Sequence, residues 1–196
     1  QEFKPPQTLI QGPASQLVRQ TTDPKEKEDL QIINRNAQYL LSLVNQLIDL
    51  RKIDTQNLTL NYSQFNFSKF LNTTITDFSN LMKERNISFE KIYRLKSDHI
   101  YSDKENLHKI LFNLLSNAIK HTPDKGKITL HANQFIDKSN KLMQFISVTN
   151  SGSIIAPDEI DKIFNRFYRI PEQNKYTNYG QSSTGIGLHI VKELIN

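Results

Sequence analysis

Between Lys25 and about Ile53, apolar residues return every seven positions. Leu30, Ala37 and Val44 form one series and Ile33, Leu40 and Leu47 the other, with Leu41 and Ile48 widening the seam. This is the pattern of a long α-helix with a coiled-coil-like stripe. Thr21-Thr22-Asp23-Pro24 reads as the turn leading into it. Residues 1 to about 22 read as a preceding helix with a proline-marked start at Pro5-Pro6. Two such helices form an antiparallel hairpin, which cannot bury the stripe by itself. Dimerisation into a four-helix bundle is the economical solution, and packing of the stripe on the domain that follows is the alternative.

Asp54-Thr55-Gln56-Asn57 breaks the helix. The expected organisation is therefore a dimerisation hairpin over 1–55 and a second domain over 56–196. In the second domain, Leu58 to Tyr62 suits a short strand. Phe67 to about Arg85 suits one helix, with Phe70, Leu71, Ile75, Phe78, Leu81 and Met82 on its apolar face. Ile87-Ser88-Phe89 and His99-Ile100-Tyr101 suit short strands. Lys127 to Phe135 and Leu142 to Thr149 read as a hairpin joined by Asp137-Lys138-Ser139-Asn140. A short helix is expected after Asp158, then a long polar loop from Arg169 to Ser183, of the kind that is functional in compact domains, and a last helix from Gly185. This order predicts helices packed on one face of a mixed sheet.

The most informative helix runs from Lys104 to about His121, with Asp103 as its expected N-cap. Leu107, Ile110, Leu111, Leu114, Leu115, Ala118 and Ile119 follow the helical period. Asn113 and Asn117, four apart, share one face, and Lys120 and His121 reach the same region. Two carboxamides offer oxygens to a hard cation, and the lysine and histidine can address phosphate. A Mg-nucleotide site follows from that combination, since Mg²⁺ is usually held by few protein oxygens plus phosphate and water. Surface decoration is the competing explanation for the two asparagines.

Composition closes other routes. The 196 residues allow one large or two small domains. No run approaches the roughly 20 apolar residues of a spanning helix, and no signal peptide is visible. Zero cysteines exclude a disulfide framework. The net charge of +5 is spread over scattered lysines without a basic block, so nucleic acid is not the expected partner.

Three further stretches follow that helix in order: Asn150-Ser151-Gly152-Ser153-Ile154-Ile155 after a strand-like run, Ile163-Phe164-Asn165-Arg166-Phe167-Tyr168-Arg169, and Ser183-Thr184-Gly185-Ile186-Gly187-Leu188. Together with Asn113 to Thr122 they resemble the N, G1, F and G2 boxes of the sensor histidine kinase ATP-binding domain. That domain belongs to the GHKL ATPase group shared with gyrase, Hsp90 and MutL. The junction Leu47 to Leu60 is similar to the kinase modules of hybrid two-component sensors of Bacteroides. The resemblance implies an α+β chain: an antiparallel helical hairpin forming a dimeric four-helix bundle, then an α/β sandwich of the GHKL type. Related domains continue with two more strands, so the sheet is expected to be C-terminally incomplete here.

On matching residues, the resemblance implies Mg²⁺ at Asn117 with Asn113 beside it, and Lys120 and His121 near the phosphates of ATP. It implies adenine at Asn150, where an aspartate is usual, with Gly152 letting the backbone approach the base. The second glycine of that box is replaced by Ile154. Thr184, Gly185, Gly187 and Leu188 fit the G2 box, whose glycines free backbone amides for phosphate at a helix start. Phe164 and Phe167 would anchor the loop that follows, unless both are core aromatics. The phosphoacceptor position of the family falls on Gln1, and the neighbouring general base is Glu2. Glutamine's amide nitrogen is not nucleophilic, unlike a neutral imidazole, and the usual threonine is Pro5.

The implied function is the histidine protein kinase core of a two-component system. Such a core is a homodimer that uses Mg-ATP to phosphorylate a histidine and passes the group to an aspartate of a response-regulator receiver domain, in the same polypeptide or another. With Gln1 at the acceptor, this chain is expected to bind nucleotide without phosphorylating itself. It is expected to be a cytoplasmic module of an inner-membrane sensor, reaching the membrane only through regions N-terminal to it. A non-catalytic dimerisation and relay module is the main alternative. A chaperone- or repair-type ATPase is disfavoured by the heptad hairpin.

Overall fold

The computed structural model describes residues 16–17, 21, 23–55, 58–152, 154–170 and 184–195. Most of the first predicted helix, with Gln1, Glu2 and Pro5, lies outside them, as do Ser153 and 171–183. Backbone contacts divide the chain into two units, Gln1–Leu58 and Thr59–Asn196.

In the first unit, helix α1 spans Pro24–Asp54. Asp23 caps it by accepting from the Lys25 N–H at 2.8 Å, and Pro24 occupies the first turn, where a missing N–H costs nothing. Arg51 and Lys52 sit in the last turn, beside the negative end of the helix dipole. Thr55 closes it, donating both its N–H and its hydroxyl to the Arg51 carbonyl. The heptad stripe is open: Ile33, Leu40, Val44, Leu47 and Ile48 are all exposed, Leu40 by 60%. Each such side chain gains about 1.5–3 kcal/mol on full burial, so the stripe is a strong drive towards a partner surface.

The second unit holds strands β1 (Tyr62–Asn66), β2 (Ser88–Arg94), β3 (His99–Asp103), β4 (Lys127–Ile136) and β5 (Leu142–Asn150). Its helices are α2 (Phe67–Thr76), α3 (Ser79–Glu84), α4 (Lys104–His121) and α5 (Gly187–Ile195). Single 3₁₀ turns lie at Pro157–Glu159 and Lys162–Phe164. The main sheet is mixed: β2 runs parallel to β4, and β4 antiparallel to β5. Its inner face, with Ile128, Leu130 and Ala132 fully buried, joins one core with Phe67 and Leu71 of α2 and Leu111 and Leu115 of α4. Asp103 caps α4 by accepting from the Asn106 N–H at 2.9 Å. The β4–β5 turn is set by Asp137, whose carboxylate takes the N–H groups of Ser139 and Lys141, and by Asn140 in the left-handed region.

Four expectations are corrected. The first strand is Tyr62–Asn66 rather than Leu58–Tyr62. Its register with β3 is fixed from Tyr62↔Asp103 to Asn66↔His99, and the Asn61 N–H already turns to the Asp103 carboxylate. β1 and β3 form their own two-stranded sheet instead of joining the mixed one. The single helix over Phe67–Arg85 is two helices that part at Asp77-Phe78. Hydroxyls of Thr73, Thr74 and Thr76 donate to carbonyls four residues back, and Ser79 donates to the Thr76 carbonyl. Side-chain bonds of this kind compete with the helical ladder. The helix expected after Asp158 is two separate 3₁₀ turns.

Candidate nucleotide site

The C-terminal half of α4 gathers the other motifs. Asn113 donates through Nδ2 to the Lys109 carbonyl at 2.9 Å, which leaves Oδ1 outside that bond. Gly187, the first residue of α5, fits against that oxygen: a Cβ there would stand 2.6 Å from Asn113 Oδ1. One turn on, the side chain of half-buried Asn117 makes no hydrogen bond to a described residue.

Lys120 is half-buried, and its pKa is brought down to about 8 by desolvation and then by the nearby Arg169 guanidinium. Burial and the Lys120 charge also pull His121 below the usual imidazole range, and its Nδ1 is buried without a partner. Three basic side chains thus crowd one helix end, where the cationic form is costly until an anion arrives.

Arg85 fixes that helix end. It is 4% exposed, and its Nη1 and Nη2 donate to the carbonyls of Ile119 and Thr122 at 2.6 and 2.5 Å, while Nε donates to Asp124 at 2.8 Å. The last carbonyls of a helix have no intrahelical partner, and a guanidinium fork supplies several donors at once.

The Asn150 stretch closes on the same end. Asn150 ends β5 opposite Ile128, and its Nδ2 donates to the Ser151 carbonyl at 3.3 Å. Gly152 has φ of +137°, and a Cβ on it would lie 2.3 Å from the His121 carbonyl, so only glycine fits this approach. Ile154 is 88% exposed.

On the other side, Gly185 accepts from the Phe167 N–H at 2.9 Å, and Thr184 Oγ1 accepts from the Ile186 N–H. Leu188 is half-buried, behind the buried Ile186. Phe167 is no core aromatic: it is 62% exposed with φ of +62°. Phe164 is half-buried, and its carbonyl is 3.1 Å from His189 Nδ1. Arg166 Nε donates to His189 Nε2 at 2.8 Å, which leaves Nδ1 as the protonated nitrogen donating to Phe164. Tyr168 donates its hydroxyl to the Glu159 carboxylate.

Of the sequence-predicted residues, Asn113, Asn117, Lys120 and His121 share the C-terminal half of α4. The structure brings Gly187 against Asn113 and Gly152, next but one to Asn150, against His121, while Gly185 meets Phe167 and Tyr168, and Thr184 and Leu188 flank Gly185 and Gly187 in the chain. Gln1 and Glu2 lie outside the described residues. Sequence reasoning missed Arg85, Arg166 and His189. His189 sits at an apolar-face position of α5, and Arg85 reaches 34 to 39 residues along the chain. The Asn117 carboxamide offers an unspent neutral oxygen, a donor type that Mg²⁺ accepts. Among the described residues, no group of three or more His, Cys, Asp or Glu gathers to hold a metal. An ion at Asn117 would complete its shell with phosphate and water.

Residues 102–196 match the family described as histidine kinase-, DNA gyrase B-, and HSP90-like ATPase. Within that family, the chain carries the catalytic domain of the sensor histidine kinases. It is 36% identical to Histidine kinase P4 of Formosa agariphila over 98% of this chain and 14% of that protein. It is 31% identical to Hybrid signal transduction histidine kinase D of Dictyostelium discoideum over 99% of this chain and 12% of that protein. The chain thus spans a small part of the relatives it matches. Among solved structures, full-length ShkA in complex with AMPPNP shares the fold, with a TM-score of 0.72, 23% identity and coverage of 98% of this chain and 38% of that one. Histidine kinase ThkA in complex with response regulator protein TrrA shares it with a TM-score of 0.59 and 24% identity, over 86% of this chain and 48% of that one. Among the described residues, no helix is long and apolar enough to cross a membrane.

Proposed function

We propose that this chain is the dimerising and ATP-binding core of a histidine protein kinase in a two-component system. The observation that carries the reading is the joint between motifs. Gly187 presses on the Asn113 carboxamide and Gly152 on the His121 carbonyl, while Asn117 beside them stays unspent. Asn117 holds Mg²⁺, which when bound neutralises charge on the transferring phosphates. Lys120 and His121 bind phosphate oxygens, a role that their desolvated position favours. The amides of Gly185 and Gly187 donate at the start of α5, where the helix dipole adds to the attraction. Asn150 orients the adenine through its side-chain oxygen, and Thr184 and Leu188 shape the pocket around the phosphates and ribose.

The exposed stripe of α1 pairs with a second copy of the hairpin. The partner downstream is a receiver domain, in line with the response regulator that accompanies ThkA. The module works in the cytoplasm, as part of a sensor anchored by regions outside it. Gln1 takes the acceptor position and Glu2 its neighbour, so the chain binds Mg-ATP and does not phosphorylate itself. Gln1→His tests this: an acid-labile phosphoprotein is expected, and nucleotide binding without one contradicts the account. Gln1 and Pro5 also favour a second reading, a kinase-like relay module without chemistry. Absence of nucleotide binding by the folded protein would select it.

A further inference from the structure

Asn150 is a polar side chain on an apolar face. Its register partner Ile128 is fully buried, and the next residues on that face, Leu130, Val148 and Ile146, pack into the core with α4. The half-buried carboxamide closes this face at the end where Gly152 meets His121. Its bond to the Ser151 carbonyl, at 3.3 Å and exposed, is longer than a good N–H···O bond. Its Oδ1 has no hydrogen-bond partner among the described residues. The backbone around it is pinned, because the Ser151 N–H donates to the Lys127 carbonyl and Ser151 Oγ accepts from the Lys127 N–H, both at 2.8 Å.

We infer that Asn150 opens the base subsite to 6-oxopurine nucleoside triphosphates as well as to ATP. The inference rests on the nucleotide-site reading above. A carboxamide carries an acceptor and donors on one fork, and half a turn about its last bond exchanges them. Adenine presents an amino donor at C6 beside the ring acceptor N1. Hypoxanthine and guanine present a carbonyl acceptor at C6 beside an N1–H donor. One orientation of the amide complements the first edge and the other orientation complements the second. A carboxylate, the usual group at this position in the family the sequence resembles, offers acceptors only and sets its charge against a 6-oxo group. In this chain the turn sacrifices only the long bond to Ser151, while the backbone stays in place.

Inosine triphosphate is the discriminating probe, because it differs from ATP only at the C6 edge. Competition titrations in Mg²⁺ on the protein and on its Asn150→Asp variant test the inference. The unsubstituted protein is expected to bind ATP and ITP within about fivefold of each other. In N150D, ATP tightens and ITP weakens, so their ratio widens to about 100-fold, as expected when the C6 amino donor of adenine faces a charged acceptor and the C6 carbonyl of hypoxanthine is repelled by it. An ATP preference above about 100-fold in the unsubstituted protein, or a ratio that N150D leaves unmoved, overturns the inference while leaving the nucleotide site standing. Loss of all Mg-dependent binding in the unsubstituted protein overturns both. If N150D fails to fold, the unsubstituted ratio decides alone. Purine riboside triphosphate, which has no C6 substituent, is then the control and should bind about tenfold more weakly than either.

Discussion

The two ends of α4 are built on opposite principles. At its start the capping group is spent: the Asp103 carboxylate accepts from the Asn106 N–H and side chain and from the Asn61 N–H. At its end Arg85 donates to the Ile119 and Thr122 carbonyls, but several side-chain groups are left over. The Asn117 carboxamide lacks a hydrogen-bond partner among the described residues, His121 Nδ1 is buried and orphaned, and Lys120 is a cation with its solvent partly removed. A buried polar group without a partner is costly. The contrast separates groups that hold the fold from groups held by the fold for something else.

Substitutions at the two kinds of position should therefore differ in kind. Arg85→Ala strips donors from two buried carbonyls and is expected to cost about 3 kcal/mol, read as a lower midpoint in urea unfolding. A loss below about 1 kcal/mol would mean that water replaces the guanidinium and that the helix end is less closed than described.

Asp103→Ala removes a cap and is expected to cost about 1 kcal/mol. The pH dependence sharpens this. Burial pushes the Asp103 carboxyl up, but the N–H donors of Asn106, Asn61 and Glu105 outweigh it, so it titrates below its ordinary value. The group is lowered on folding, so its contribution is fully present above the unfolded value near 3.9 and is lost as pH falls through the folded one. Asp103→Asn should keep most of the cap and abolish this share of the acid dependence, which urea midpoints at low pH would reveal.

Lys120→Met reverses the sign. The lysine is lowered on folding, to about 8, so its charged form works against the fold below that pH and the penalty fades as pH rises towards the unfolded value near 10.4. Solvent screening reduces the effect of a half-buried group. We expect the variant to be more stable than the parent at pH 7 by about 1 kcal/mol and to bind nucleotide more weakly. Lower stability in the variant would place Lys120 among the structural groups.

Much of this division was legible in the sequence. The apolar period from Leu107 to Ile119 and the cap at Asp103 fixed the bounds of α4, Lys104–His121, because both signals are local. The glycines at 152 and 187 could be paired with the asparagine helix only through a resemblance, since nothing local says that Gly187 meets Asn113. Arg85 was hidden by the same distance: its partners lie in another element, and a basic residue at a helix end looks like a surface group. The break at Asp77-Phe78 was missed because the apolar spacing from Phe70 to Met82 continues across it, while the competing threonine bonds leave no mark on that spacing. Tyr62–Asn66 escaped because its pairing with His99–Asp103, rather than its own alternation, defines the strand.

The smallest expected change in stability belongs to Asn117→Ala, within about 0.5 kcal/mol of the parent, and it bears on the central claim most directly. A fluorescent ATP analogue would be titrated into the protein and into this variant, with and without Mg²⁺. The account predicts Mg-dependent binding in the parent, lost in a variant that unfolds at the same urea concentration. Equal binding by the two, or a variant that loses binding only because it has lost its fold, would contradict the assignment of Asn117 to the ligand rather than to the structure.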